Sequence, residues 1–297
     1  MPELPEVETA VRGLRQPVEG HVIVSATFPA DPGRMTNISA VQFAERIVGQ
    51  RVQKITRRAK YLLFHLDADT LMVHLKMTGH LYVVPIGEVN PFDRWLRVSF
   101  LLDNGEELRF SDSRKFGRVY LAAQPDEVLP DLGPEPLEDA FTLDVFHQRL
   151  AGRKGILKSL LLNQAFVAGI GNIYADESLH IAGLHPLRRA DSLTDAEIAR
   201  LYHAIRQALG DGIRHEGASI NWYRKPDGTR GSSQDYLRVY REHRNLDQPC
   251  PVCGGPITKI WVGQRGTHFC PTCQPFESPD ESSNESPEVI AVSLNAK

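Results

Sequence analysis

Apolar and polar positions along this chain follow one period in its first half and another in its second. Val7, Ala10, Val11 and Leu14 recur at helical spacing, which predicts an amphipathic helix with Pro5 at its first position. From residue 22 to 121 the apolar positions come in short runs rich in β-branched, aromatic and leucine residues. These runs, 22–28, 52–57, 61–66, 71–76, 81–84, 96–102, 107–110 and 119–121, read as strands. Asp103-Asn104-Gly105 is a strong hairpin turn between two of them. One helix interrupts the series, opened by a Ser39/Gln42 capping box and closed by Gly49. Many short strands at this spacing predict a β-sandwich or barrel.

Pro125, Pro130, Pro134 and Pro136 then mark a linker, with a domain boundary near 130–140. Beyond it the period is helical. Residues 141–150 form one predicted helix, and Ile156, Leu157, Leu160 and Leu161 line a second. The Gly-punctuated turn at 166–172 opens a third, with Asn172 as its N-cap. Thr194 and Glu197 cap a long fourth helix with the stripe Ile198, Leu201, Ile205 and Leu209. Residues 217–240 show little period. A loop of that length in a compact domain is either functional or disordered. The class is α+β: an amino-terminal helix and β-sandwich, a helical domain, and a carboxyl-terminal hairpin.

Charge changes this picture in one respect. The net charge of −3 argues superficially against nucleic acid, but it is unevenly placed. Residues 274–297 carry five acidic residues and one lysine, hence −4, which leaves +1 for the rest. Residues 151–273 carry 16 Lys plus Arg against 11 Asp plus Glu, hence +5. A local basic face matters more for phosphate binding than the total. The Ser-, Glu- and Pro-rich stretch 276–297 reads as a disordered acidic tail. No apolar run approaches the roughly 20 residues of a membrane span, and the amino terminus lacks signal-peptide character. A cytoplasmic protein is expected, monomeric and without a membrane partner.

The strongest stand-alone motif is Cys250-x2-Cys253, sixteen residues, then Cys270-x2-Cys273, which holds all four cysteines. Two such knuckles fit one tetrahedral zinc with four thiolate ligands, a closed and therefore structural site. Disulfides are the alternative, and a cytoplasmic setting disfavours them. Residues 262–269 between the knuckles read as a hairpin turning near Gly263–Gly266, which would pin Arg265.

Other candidates are ambiguous on local grounds. A proline behind the initiator methionine yields a free secondary amine once Met1 is trimmed. Such an α-amino group titrates near about 8, and amines attack carbonyl-type carbons to give Schiff bases. From Pro2 the product is an iminium, an electron sink for elimination, with Glu3 and Glu6 nearby to move protons. The same residues also make an ordinary helix start. Arg57-Arg58-Ala59-Lys60 is a basic cluster between strands or a solvated turn. Met77 and Phe116 are apolar wedges or core. The 166–172 turn suits close approach of a phosphate to a helix amino terminus, or is a plain interhelical turn. Trp222-Tyr223 stacks a base or packs its own loop.

Taken together, these stretches resemble the formamidopyrimidine-DNA glycosylases, bifunctional repair enzymes that excise oxidised purines. Residues 2–9 (Pro-Glu-Leu-Pro-Glu-Val-Glu-Thr) look like that family's amino terminus, and Leu4 leans away from the endonuclease VIII branch, which typically has glycine there. The resemblance continues through 57–62, 74–79, 112–117, the thirteen-residue run 167–179 and the cysteine hairpin, and ends near residue 275. Ser113 and Lys115 depart from it, standing where relatives often have proline and arginine. A DNA-binding histidine often found before the Leu96 strand has no counterpart here; Phe92 stands in a loose alignment.

The resemblance implies roles. Pro2 is the nucleophile, Glu3 the proton donor to the opening sugar, and Glu6 orients the site. Lys60 and Arg265 neutralise phosphates at the lesion and assist the eliminations. Met77, Arg114 and Phe116 fill the gap left by a flipped base. Arg153, Lys158 and Asn172 hold the DNA backbone, and Cys250, Cys253, Cys270 and Cys273 hold one structural Zn2+. It implies a catalytic β-sandwich domain at 1–130, a linker at 131–141, and a helix–two-turns–helix DNA-binding domain at 142–245 whose loop 217–240 covers the lesion. A zinc finger at 246–275 and the tail at 276–297 complete it, with damaged double-stranded DNA across the cleft. Two other readings remain: an endonuclease VIII-like glycosylase for oxidised pyrimidines, and a non-catalytic DNA-binding homologue.

Overall fold

Eight strands form where the eight apolar runs of the first half predict them. The computed structural model describes residues 1–220, 222–241 and 247–276. Its first elements are α1 (Leu4–Val18), β1 (Ile23–Thr27), α2 (Ala40–Ile47), β2 (Lys54–Arg58), β3 (Tyr61–His65), β4 (Thr70–His74), β5 (Gly79–Pro85), β6 (Leu96–Leu102), β7 (Glu106–Asp112) and β8 (Arg118–Ala122). They pair antiparallel into two four-stranded sheets, β1-β6-β7-β5 and β2-β3-β4-β8. Residues Val98, Phe100 and Leu102 of β6 alternate inward, and Phe100 lies opposite Leu108 and Val98 opposite Phe110 on β7. One core takes side chains from both sheets, from the α1 stripe, and from Phe43 and Ile47 of α2. This is the sandwich that the strand spacing predicts.

The second sheet is apolar on both faces. Leu62, Phe64, Leu71 and Val73 enter the shared core, while Tyr61, Leu63, Met72 and Ala122 pack beneath Tyr120, Val128 and Leu129. That double burial explains why 61–66 and 71–76 read as continuous apolar runs and not as alternating ones. Helix α1 packs on β2 and β3. Its first residue is Leu4, so Pro5 stands second and not first: Glu3 is extended, at φ −106° and ψ −169°, and acts as the cap.

By internal contacts the chain forms two compact units. One comprises Met1–Leu132 and Gly212–Asp235; the other comprises Gly133–Asp211 and the described residues from Tyr236 onward. The loop 217–240, grouped with the helical domain on sequence, is thus divided at residue 235. The second unit contains α3 (Leu143–Leu150), α4 (Leu157–Leu162), α5 (Asn172–Ala182), most of α6 (Asp195–Arg214), β9 (Thr258–Val262) and β10 (Arg265–Phe269). The α6 stripe Ile198, Leu201, Ile205 and Leu209 is buried, and Thr194 and Glu197 form the predicted capping box.

The end of the proline-rich stretch, from Gly133 onward, is a docked strap within that unit. Gly133 N–H donates to Gln164 O (2.8 Å), Ala168 N–H to Pro134 O (3.0 Å), and Arg206 to Pro136 O (2.7 Å). Prolines have no N–H to satisfy, so an extended strap offers its carbonyls to neighbours. Among the described residues no helix is long and apolar enough to cross a membrane. The expected acidic tail lies outside the described residues, except for Phe276, whose ring packs on His185.

Candidate active site and metal centre

The start of α1 is buried although it carries two carboxylates. Pro2 is buried, and Glu3 and Glu6 are each 2% exposed. Glu6 Oε2 accepts the Glu3 N–H (2.8 Å), closing a capping box on the first turn. Its other oxygen, Oε1, accepts the Ala218 N–H (2.7 Å), and Tyr223 Oη donates to Glu6 O (2.7 Å). The loop is therefore tied to the residues that flank the candidate nucleophile. Gly217 makes the approach possible. Its φ is +74°, and a Cβ there would stand 3.0 Å from Glu6 Cα.

Lys60 follows Ala59, which turns the chain at φ +53° between β2 and β3, and Lys60 is 4% exposed. Two other members of its basic cluster have structural partners: Arg57 lies 3.4 Å from Glu8 of α1, and Arg58 donates to Leu132 O. His74, at the end of β4, escaped the sequence reading. It is buried with its ring edge-on to Tyr61, and its Nδ1 accepts the Lys76 N–H. Burial, reinforced by the positive charges of Lys76, Lys60 and Arg118, lowers its pKa to about 3, so it stays neutral among cations.

The three candidate wedge residues come together on the turns that follow β4 and β7. Arg114 Nη1 donates to Met77 Sδ (3.1 Å), and its guanidinium sits 4.8 Å from the Phe116 ring centroid. Asp112 organises both turns, accepting from the Thr78 hydroxyl, the Arg114 N–H and the Gly117 N–H. Lys76 and Lys115 take left-handed backbone conformations there. Met77 and Phe116 remain 45% and 47% exposed, large apolar side chains held out in solvent. That exposure argues against the core reading for both.

In the second unit, Gly171 and not Asn172 is the N-cap of α5; Asn172 is its first helical residue. Its side chain is turned to the hairpin, where Nδ2 donates to Gly266 O (2.9 Å). Arg153 and Arg265 are exposed. Lys158 is not: its side chain is fully buried, and its ammonium donates to Asp176 and to Asn172 O. A phosphate cannot reach an ammonium so enclosed, and the contact expected of Lys158 does not fit this geometry. Periodicity missed the point because Lys158 lies on the apolar stripe of a short helix, a position from which only packing decides where an ammonium goes.

The four cysteine sulfurs lie within 4.8 Å of one another and none forms a disulfide. Sγ–Sγ separations of 3.8 Å (Cys250–Cys273) and 3.4 Å (Cys253–Cys270) are close to the roughly 3.8 Å edge of a tetrahedron with about 2.3 Å zinc–sulfur bonds. Gly255 N–H points at Cys253 Sγ, as befits a thiolate. These residues fit one structural Zn2+. Between the knuckles β9 and β10 pair around Gly263 and Gln264, both at positive φ.

His80 is a second residue that sequence did not single out. It stacks on Tyr82, meets the Phe92 ring at a tilt, and its Nε2 lies 3.1 Å from Lys225 O in the loop. Trp95 meets Trp222 edge-on at 5.5 Å beside it, so in this structure Trp222 packs against the residue that precedes β6 while staying 52% exposed.

Comparison with known proteins is informative over most of the chain. Residues 1–119 match the formamidopyrimidine-DNA glycosylase N-terminal domain, 132–224 the H2TH domain of the same proteins, and 247–275 the zinc finger found in FPG and IleRS. The formamidopyrimidine-DNA glycosylase of Symbiobacterium thermophilum is 47% identical over 93% of this chain and 90% of its own. That of Herpetosiphon aurantiacus is 47% identical over 92% and 100%. Among solved structures, a Lactococcus lactis FPG mutant in complex with Fapy-dG-containing DNA superposes with a TM-score of 0.84 at 35% identity, covering 93% of this chain and 100% of that one. The MutM (FPG) protein of Thermus thermophilus gives 0.81 at 41% identity, covering 94% and 100%.

Two predictions follow from these geometries. Metal analysis should find one zinc per chain, and Cys→Ala at any ligand should release it, disorder the hairpin and weaken DNA binding. A folded, active preparation without zinc would refute the assignment. The second concerns His80. Burial, the largest influence, lowers its pKa from 6.5 to about 4, with Lys225 O and Asp227 opposing and Arg224 reinforcing. A lowered histidine pKa means that its stabilising effect is whole above pH 6.5 and is lost as pH falls through about 4. Between pH 7 and 4, urea unfolding of the wild type should lose up to about 3 kcal/mol more than His80→Phe. Parallel curves would show that His80 titrates normally.

Proposed function

The chain belongs to the formamidopyrimidine-DNA glycosylase family, and we propose that it excises oxidised purines from duplex DNA through the amine of Pro2 and cuts the strand at the abasic site. The family is one of glycosylases with abasic-site lyase activity, and base-excision repair is its setting. What carries the reading is the buried start of α1. Pro2 and Glu3 stand there with their backbone held by Glu6, on a helix packed against the two strands whose connecting turn bears Lys60.

In the proposed reaction, removal of Met1 first converts the Pro2 nitrogen from an amide to a secondary amine. The lesion nucleotide leaves the stack, and Met77, Arg114 and Phe116 occupy its place. The Pro2 nitrogen forms a bond to C1′ as the bond from C1′ to the base breaks; the base departs with the bonding electrons and takes up the proton that the Pro2 nitrogen sheds. Glu3 gives a proton to the ring oxygen as the sugar opens, which leaves a charged iminium at C1′. The iminium acidifies C2′; loss of that proton expels the 3′ phosphate in β-elimination. A second proton loss, at C4′, expels the 5′ phosphate in δ-elimination. Water then hydrolyses the iminium and frees Pro2. Lys60 and Arg265 neutralise the departing phosphates. Asn172 and Arg153 hold the flanking backbone, and the zinc hairpin serves only to shape the segment that carries Arg265.

Two experiments test the proposal. Borohydride trapping on a duplex with an oxidised guanine should give a covalent adduct, and protein that retains Met1 should bind DNA without forming it. A full adduct from Met1-bearing protein would exclude Pro2 as the nucleophile, and preferential trapping on an oxidised-pyrimidine duplex would favour the endonuclease VIII-like reading. The second experiment separates extrusion from chemistry. Phe116→Ala should slow single-turnover excision of an embedded oxidised guanine by roughly tenfold or more, since lost gap-filling leaves a few kcal/mol of unstacking uncompensated. It should spare cleavage of a preformed abasic site. Equal losses on both substrates would make Phe116 a structural residue.

A further inference from the structure

The Lys158–Asp176 pair has a geometry that a phosphate contact does not explain. Both side chains are 0% exposed. One oxygen of Asp176 takes the Lys158 ammonium; the other accepts the His268 N–H at 3.0 Å. The same ammonium donates to Asn172 O at 2.9 Å, and the Asn172 amide donates to Gly266 O at 2.9 Å. Four bonds therefore close a ring through α4, α5 and β10. Asn172 and Arg265 stand on that ring or one residue from it. A fully buried pair of this kind is weak evidence for net stability, and here each partner also bonds a backbone group, Asn172 O or the His268 N–H, on another element.

We propose that Lys158 and Asp176 are positioning residues, which set the zinc hairpin against the start of α5 so that Asn172 and Arg265 meet the DNA backbone together. The assignment of the DNA contacts rests on the function proposed above; the mechanical link does not. Lys158 acts through Asn172 and β10 and touches no phosphate.

The link itself is tested without DNA. In zinc-loaded Asp176→Asn protein, amide exchange at Gly266, Thr267 and His268 should quicken at least tenfold, with the zinc retained. Unchanged exchange would overturn the proposal, whatever the protein does to DNA. The consequence is tested with the double variant Lys158→Met/Asp176→Leu, in which apolar groups replace the pair so that no lone charge is left buried. Its affinity for a duplex bearing an uncleavable abasic-site analogue should fall at least tenfold. In a background already lacking the Asn172 and Arg265 side chains, the same two changes should add less than twofold, because residues that act through one another are not additive. A loss that persists in that background, with the log-salt slope lower by about one, would make Lys158 a direct phosphate contact. Wild-type affinity in the double variant would make the pair core filling. Either result refutes the proposal. Should the double variant fail to bind zinc, Asp176→Asn takes its place in the same additivity measurement. If the wild-type protein excises no oxidised purine while the exchange result holds, the functional reading fails and the positioning link stands.

Discussion

The carboxylate of Glu6 is the constraint on which the first unit's chemistry depends. A buried helix start leaves backbone N–H groups that must be paired, and an unpaired one costs on the order of 1–3 kcal/mol. Glu6 pairs the Glu3 N–H with one oxygen and the Ala218 N–H with the other. The first bond holds Pro2 and Glu3 at a defined angle to the body of α1. The second makes the position of the 217–235 loop conditional on the same side chain. A helix cap thus becomes a coupling between the residues proposed to react and a loop that lies more than two hundred residues away in sequence. Gly217 has no side chain because that contact leaves no room for one.

Charge burial serves a similar end in the second unit. Lys158 and Asp176 join α4, α5 and β10, and Glu177 on the same helix accepts the N–H groups of Arg238, Val239 and Tyr240. Burial raises the Glu177 pKa while those three donors pull it back. Two adjacent acidic residues of α5 therefore fasten the chain before and after the first cysteine knuckle, with His180 Nε2 set 3.4 Å from Cys250 Sγ as a further tie. A hairpin this short has little apolar core of its own: Val239, Cys250 and Cys270 with a few neighbours. Metal and backbone hydrogen bonds supply what burial does not.

In contrast, the surface that would face DNA is made of side chains left out of such networks. Met77 and Phe116 are exposed on turns that Asp112 braces from behind, and Arg114 bridges them. Their turns carry left-handed residues at Lys76 and Lys115, a conformation that costs energy and that the surrounding hydrogen bonds stabilise. The neutral His74 beneath Lys60, Lys76 and Arg118 leaves those cations free of a further positive charge.

The sequence alone determined the eight strands, the helical second half, the hairpin and the metal ligands, because each is written in short-range signals: period, turn chemistry and cysteine spacing. It also identified the family, since ordered motifs run through nearly the whole chain. It could not tell a lysine that faces solvent from one that faces a carboxylate. Lys158 and Arg153 lie five residues apart and look alike in sequence, yet one is sealed in an ion pair and the other is exposed. Nor could it place Gly212–Asp235 with the first unit, or find His74, His80 and Asp176, whose partners lie on other elements. Periodicity reports which face of an element is buried. Which charge pairs with which, and where a long loop docks, is set by contacts between residues far apart in the chain, and only the folded structure brings those together.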